Sequence, residues 1–405
     1  MTIGINATAA VTWPRTGVEE YVYQLIKHLT MLPEAMGHRF LLFVPKIKPD
    51  IAKKLSLNET NNCFDFSLPE NFAVKQLKWP WPMWTQIRLA SQMFLKQPDV
   101  LFAPAHVLPM AHPKNSIVSV LGLEYEYYPE AYSFFRRRYL RFATKYAVKK
   151  AKKIIAISDS TKRDLVKLYG DALAEKIRVV QLGISLNQKI NRDKETVTEN
   201  NANEPPAPFK RNCRAPSLTK DRNYRCKTTI PYLLYLGRLE TKKNVQGIIE
   251  AYKILKEKYR IPHELVLAGS PGFGYKSLKL RIRNCRFKIN EPGYVSEAEK
   301  QRLLREAEIF LFPSFYEGFG LPILEAQAAG VSVVTANISS MPEVAGEGAV
   351  LVDPKKPEEI ARAVYKIIDD RFFRDKLIKL GYENVKRFSW EKCARETLRV
   401  LTEEI

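Results

Sequence analysis

Pro313-Ser314-Phe315-Tyr316-Glu317-Gly318-Phe319-Gly320-Leu321-Pro322-Ile323-Leu324-Glu325-Ala326 is the stretch on which the reading of this chain turns. The apolar run Ile309 to Phe312 before it predicts a strand, and Pro322 suits the first turn of a helix. Between them, Gly318 and Gly320 permit a ligand to approach exposed backbone N–H groups. The helix start adds positive potential, which favours a phosphate there. Glu325, about one turn into the helix, is placed to accept hydrogen bonds from a ribose diol. Glu317, on the loop, is placed to hold sugar hydroxyls. Two glutamates at this spacing mean nothing alone; this loop and helix give them a meaning.

A second cluster, Gly237-Arg238-Leu239-Glu240-Thr241-Lys242-Lys243-Asn244, follows the alternating run Tyr232 to Leu236. A loop here would bring Arg238 and Lys243 onto one diphosphate. Negative charge builds on that group as its bond to a sugar breaks, and preplaced cations stabilise the charge more than they stabilise bound substrate. The competing reading is a pair of ordinary surface cations. There is no Asp-x-Asp to hold a diphosphate-bound metal, so neither metal nor other cofactor is expected. Cationic side chains and the helix terminus take the metal's place. The turn Leu267 to Gly274 lies near the donor or is a plain turn. Gly293-Tyr294-Val295, before the capping box Ser296-x-x-Glu299, offers backbone contacts to a base or is a plain connection. Gly17, opening the first helix, admits a donor phosphate or an acceptor, or is a turn glycine.

Further strands are expected at Ile3 to Ile5, Phe40 to Val44, Val100 to Ala103, Ile117 to Val120, Ile154 to Ile157, Val179 to Leu182, Glu264 to Ala268 and Val331 to Thr335. Val22, Leu25, Ile26 and Leu29 recur at helical spacing. Residues 187–229 are rich in Asn, Lys, Arg, Glu and Pro and too polar to bury a core, so they are expected to form a linker or disordered insertion. The expected architecture is α/β, with two Rossmann-like domains (1–186 and 230–388) facing each other across a cleft. The terminal helix, from about Trp390 to Leu401 within 389–405, has no place on pattern alone.

With 405 residues the chain accommodates two such domains. Its cysteines (Cys63, Cys213, Cys226, Cys285 and Cys393) are scattered and odd in number, which argues against a disulfide framework or zinc site and fits a reducing compartment. Without a signal-peptide layout or a long apolar run, a cytoplasmic location is expected. The net charge of +21 suits nucleic acid, anionic lipid or phosphorylated small molecules. Nucleic acid is the weakest of these, because no recognition motif accompanies the charge. The segment from Phe134 to Lys153 interleaves aromatics with cations. It is a helix with a solvated basic face or one lying on an anionic membrane, peripheral on the inner face. Trp79, Trp81 and Trp84 would join such a surface or pack in a loop.

These residues resemble the retaining glycosyltransferases of family 4, which have the GT-B fold. The likeness is strongest from Tyr232 to Pro354, through GRLETKKN, GYVSEAE, PSFYEGFGLPILEA and MPEVAGEGAVLVDP. It extends more loosely to Gly17, AHVLP, EYEYYPEAYS and KKIIAISDSTKRDL. The resemblance implies a nucleotide-diphosphate sugar in the cleft, its nucleotide on the second domain. Arg238 and Lys243 would contact the diphosphate, Glu325 the ribose, and Glu317 with the Phe319, Gly320 and Leu321 backbone the sugar, with Gly17 and Val295 completing the donor site. It also implies retention of configuration, no obligatory metal, and a last helix that crosses back to the first domain. A mannosyl-, rhamnosyl- or glucosyltransferase of cell-surface polysaccharide assembly, using a glycan or lipid-linked acceptor, is the form suggested. One departure matters: where similar members place a histidine beside the transferred sugar, this chain has Leu121. His106 is the candidate to stand in for it, the alternative being a structural histidine. Leu121 also supports a second reading, a catalytically impaired relative that binds a nucleotide sugar or glycan as an assembly partner.

Overall fold

The computed structural model describes residues 1–13, 15–47, 63–78, 83–184 and 230–403. Residues 187–229, together with Trp79 and Trp81, lie outside them.

The first half is one parallel sheet built from β1 (Thr2–Asn6), β2 (Arg39–Pro45), β3 (Phe72–Leu77), β4 (Val100–Ala103), β5 (Ser116–Val120), β6 (Lys153–Ala156) and β7 (Ile177–Val179). Its order is β3-β2-β1-β4-β5-β6-β7. The second half holds β8 (Tyr232–Leu236), β9 (Glu264–Ala268), β10 (Ile289–Gly293), β11 (Ile309–Phe312), β12 (Ser332–Ala336) and β13 (Ala349–Val352), in the order β10-β9-β8-β11-β12-β13, also parallel. Helices on both faces bury the central strands, so β4, β8 and β11 are apolar along their whole length instead of alternating. In each sheet the strand order reverses beside the first strand. A doubly wound sheet leaves its crevice open at that point, beyond the carboxyl ends of the strands. In the second half the two loops flanking the reversal are those after β8 and β11, the two segments singled out above.

The terminal helix Trp390–Thr402 packs on the first-half helix Gly17–Leu29. Arg395 Nε donates to Glu34 at 2.9 Å on that side. The chain crosses between halves at the bridge Ile184–Ser389, where Gly183 lies so close that a Cβ would stand 2.0 Å from the Trp390 nitrogen.

Several expectations need correction. The strand expected at Val179 to Leu182 ends at Val179, because its pairing with β6 stops at Ala156–Val179. Val180 and Leu182 are buried, but on the path to the crossing. Three strands, β3, β10 and β13, were not anticipated, and each is a sheet edge. Trp84 is buried, with its Nε1 donating to the Leu77 carbonyl at 3.0 Å, and so takes no part in a surface.

Candidate active site

The loop after β11 is fixed before it meets any ligand. Ser339 and Ser340 Oγ donate to the Glu317 carbonyl at 2.6 and 2.9 Å, and Ser340 Oγ also donates to the Phe319 carbonyl at 2.6 Å. The Glu317 N–H donates back to Ser339 Oγ at 3.2 Å. Gly320 takes φ +111°, a value open to glycine, and turns the chain into the helix Leu321–Ala328. No side chain caps that helix; Pro322 in its first turn has no N–H to satisfy, and the Ile323 N–H donates to the Gly320 carbonyl at 3.0 Å. Glu325 Oε1 accepts from Lys300 Nζ at 2.9 Å, Lys300 coming from the helix Glu297–Glu306. Burial opposes the charge on Lys300, but Glu325 and Glu297 outweigh it and raise its pKa.

The loop after β8 interlocks with the first. The Phe315 N–H donates to the Lys242 carbonyl at 2.9 Å, and Lys243 Nζ donates to Glu317 Oε1 at 2.5 Å. That ion pair is shielded, with side-chain exposures of 15% and 9%, so it is screened less than a surface pair. Arg238 is different: 62% of its side chain is exposed, and its Nε lies 3.9 Å from Glu240, leaving the guanidinium free to turn toward a phosphate. The turn after β9 packs against this loop, the Leu239 N–H donating to the Ser270 carbonyl at 2.9 Å. The turn Leu267 to Gly274 therefore borders the Arg238 loop. Asn244, in the left-handed region at φ +55°, caps the next helix with its Oδ1 and ties the loop to Pro354 with its Nδ2.

The first half meets these loops at Leu121. Its carbonyl oxygen faces Gly318 so closely that a Cβ on Gly318 would lie 1.8 Å away. His106 stands behind, its Nε2 accepting from the Leu121 N–H at 3.3 Å, which places the ring proton on Nδ1. That Nδ1 is buried without a hydrogen-bond partner, and burial lowers the ring's pKa, with Glu124 partly opposing. His106 therefore holds the Leu121 backbone. Lys242 bridges the halves, 3.7 Å from Glu124 of the first and 3.7 Å from Glu240 of the second. Burial disfavours its charge, but Glu124, Glu317 and Glu240 prevail and raise its pKa.

The structure thus brings Glu317, Lys243, Gly318, Leu121 and His106 into one connected cluster, with Arg238 at its edge. Val295 is half-buried against the core, one residue past exposed Tyr294. Gly17 opens its helix with free space where a Cβ would be. Lys242, Glu124, Tyr316 and the serine pair 339–340 belong to the site without any motif that marks them. Lys242 adjoins Lys243 and Glu124 lies in a quoted segment, but spacing does not reveal which lysine turns inward.

Two doubly wound halves meeting at glycine-bearing loops define the GT-B glycosyltransferase class. Residues 15–188 match Glycosyltransferase Family 4 and residues 219–384 match Glycosyl transferases group 1, so the chain belongs to this family of enzymes. It is 28% identical over 402 residues to the O-antigen chain mannosyltransferase B of Escherichia coli, covering 97% of this chain and 98% of that one. Among solved structures, sucrose-phosphate synthase from Thermosynechococcus elongatus superposes with a TM-score of 0.70 at 17% identity over 100% of this chain and 98% of that one. Anabaena HepE in complex with UDP-glucose superposes at 0.68 and 16% identity, over 100% of each chain. No helix among the described residues is long and apolar enough to cross a membrane.

Proposed function

We propose that this glycosyltransferase moves a hexose of the mannose, rhamnose or glucose type from a nucleotide-diphosphate sugar to a glycan or lipid-linked acceptor in cell-surface polysaccharide synthesis. The nearly full-length likeness to an O-antigen mannosyltransferase supports the sugar class and the setting. The observation that carries the donor reading is the Glu317–Lys243 pair, held in a loop that both halves shape. On donor binding, sugar hydroxyls engage Glu317 and the diphosphate engages Lys243, Arg238 and the N–H groups that open the helix Leu321–Ala328. Glu325, drawn from Lys300, accepts from the ribose. As the glycosidic bond breaks, charge on the departing diphosphate falls among groups already in place, which lowers the barrier without solvent rearrangement. Transfer proceeds with retention and without a metal. Activity is therefore expected to survive EDTA, and NMR of the first-formed product is expected to show the donor's anomeric configuration.

The acceptor is brought by the helix Phe134–Lys150, which buries only Ala143, Thr144, Ala147 and Val148 and exposes Phe134, Phe135, Tyr139 and Phe142 among its cations. Those residues suit an anionic membrane surface. The deciding experiment is a binding and hydrolysis screen of GDP-mannose, UDP-glucose, UDP-N-acetylglucosamine and dTDP-rhamnose, with Glu325→Ala alongside. One donor should bind and release its diphosphate slowly, and the variant should lose both; equal behaviour of the two proteins overturns the reading. Leu121, whose apolar side chain is packed into the core, favours the second reading of an impaired relative. A large gain in turnover in Leu121→His would establish it.

A further inference from the structure

Both residues that flank Glu317 are fastened to the opposite half of the molecule. Tyr316 is 5% exposed; its hydroxyl accepts from the Leu123 N–H at 3.0 Å and donates to Asp164 Oδ2 at 2.8 Å. Its ring stacks on Tyr127 with centroids 4.9 Å apart, and the Tyr127 hydroxyl donates to the other oxygen of the same Asp164 carboxylate. On the far side of Glu317, the Gly318 carbonyl accepts from Ser158 Oγ at 2.8 Å and Thr161 Oγ1 at 3.3 Å. Ser158, Thr161 and Asp164 all belong to one first-half helix, Asp159–Tyr169, or to its cap. The start of that helix receives the second half in return, the Asp159 and Ser160 N–H groups donating to Glu343 at 3.0 and 3.1 Å.

We propose that Tyr316 is a positioning residue, which with the helix Asp159–Tyr169 forms a latch through which closure of the two halves sets the placement of the Tyr316–Phe319 loop. The inference rests on the reading of Glu317 as the sugar-holding carboxylate. The groups assigned to the diphosphate and the ribose, Arg238, Lys243 and Glu325, all stand on the second half, so the hold on the nucleotide does not depend on the latch. The rate does, because a displacement of about 1 Å at a reacting group costs on the order of a hundredfold. A buried hydroxyl that both donates and accepts across the boundary ties two first-half groups to the loop at once: removing it strands the Leu123 N–H and one Asp164 oxygen together.

Tyr316→Phe keeps the ring and removes the hydroxyl. Turnover is followed with whichever of GDP-mannose and UDP-glucose the parent protein hydrolyses, and the radius of gyration is measured by small-angle scattering of the ligand-free protein. The expected result is a fall in kcat of roughly ten- to a hundredfold, a donor KM within about threefold of the parent, and a larger radius of gyration. Asp164→Ala, on a half-buried helix face, should give the same split if Tyr316→Phe fails to fold. The latch is overturned if either folded variant keeps the parent's kcat and radius, or if KM rises at unchanged kcat and radius, which marks a local donor contact. Glu317→Gln separates the two readings. If it retains full turnover while Tyr316→Phe behaves as expected, the role given to Glu317 fails and the latch stands.

Discussion

Gly318 has no room for a side chain, since a Cβ would stand 1.8 Å from the Leu121 oxygen and 2.8 Å from its carbonyl carbon. The obstacle is main chain belonging to the opposite half, so a rotamer change gives no relief. Gly318→Ala must push the halves apart, at a cost of about 1–3 kcal/mol by the usual penalty for overpacking. It is expected to lower kcat more than tenfold while the second half still binds nucleotide, as calorimetry with GDP or UDP would show; an active variant would mean the two backbones do not meet. Lys242 tests the electrostatics. Its Nζ lies 3.7 Å from both Glu124 and Glu240, and Lys242→Met leaves both carboxylates without that cation. A loss of about 1–3 kcal/mol in urea unfolding is expected. Among the candidate residues, the sequence brings Glu317, Lys243, Arg238 and Glu325 forward because a loop after a strand and a helix start constrain what a polar side chain there does. Lys242, Tyr316 and Asp164 are not brought forward, because each acts across the boundary between distant segments, as Tyr316 and Asp164 do over 152 residues.

At the scale of elements, strand expectations matched best in the interior of the sheets. β4, β8 and β11 fall on the expected residues, since a strand buried on both faces is apolar throughout, and β9 does too although it opens on Glu264. The strands that were missed lie at edges, where one row of backbone groups pairs with nothing and polar residues or proline are tolerated. β10, Ile-Asn-Glu-Pro-Gly, contains both. The helix Asp159–Tyr169 carries a pH prediction. Burial raises the pKa of Glu343 above its ordinary 4.5, and the Asp159 and Ser160 N–H groups only partly offset it. The folded state therefore holds that proton more tightly than the unfolded chain. The resulting stability is complete below pH 4.5 and is lost as pH rises through the higher folded value. Glu343→Gln removes this contribution. The stability difference between parent and variant, measured by urea unfolding at intervals from about pH 4 to 7, is expected to shift in the variant's favour as pH rises. A difference independent of pH would show that Glu343 does not titrate in the latch.

For the whole molecule, the helix Trp390–Thr402 ties the halves together. The terminal helix starts in the second half's sequence but buries Trp390, Cys393, Leu398 and Leu401 against the first. Burial pushes the Cys393 thiol up to about 12, so it is protonated and inert while the helix is docked. Each large apolar side chain buried there contributes about 1.5–3 kcal/mol, so the first half does not reach full stability without a segment that follows the second half in sequence. Coupling of this kind predicts that the two halves unfold together. Leu401→Ala leaves a cavity at a fully buried site and should cost about 2–5 kcal/mol, drawn from the first half alone. Calorimetry of this variant is expected to split the parent's single transition in two, with the first-half transition moved down by several degrees. Cys393 should become reactive to a thiol reagent across the lower transition, ahead of the second half's unfolding. If instead the variant keeps one transition and Cys393 stays protected until it, the halves are coupled through the latch at the cleft and not through the returning helix.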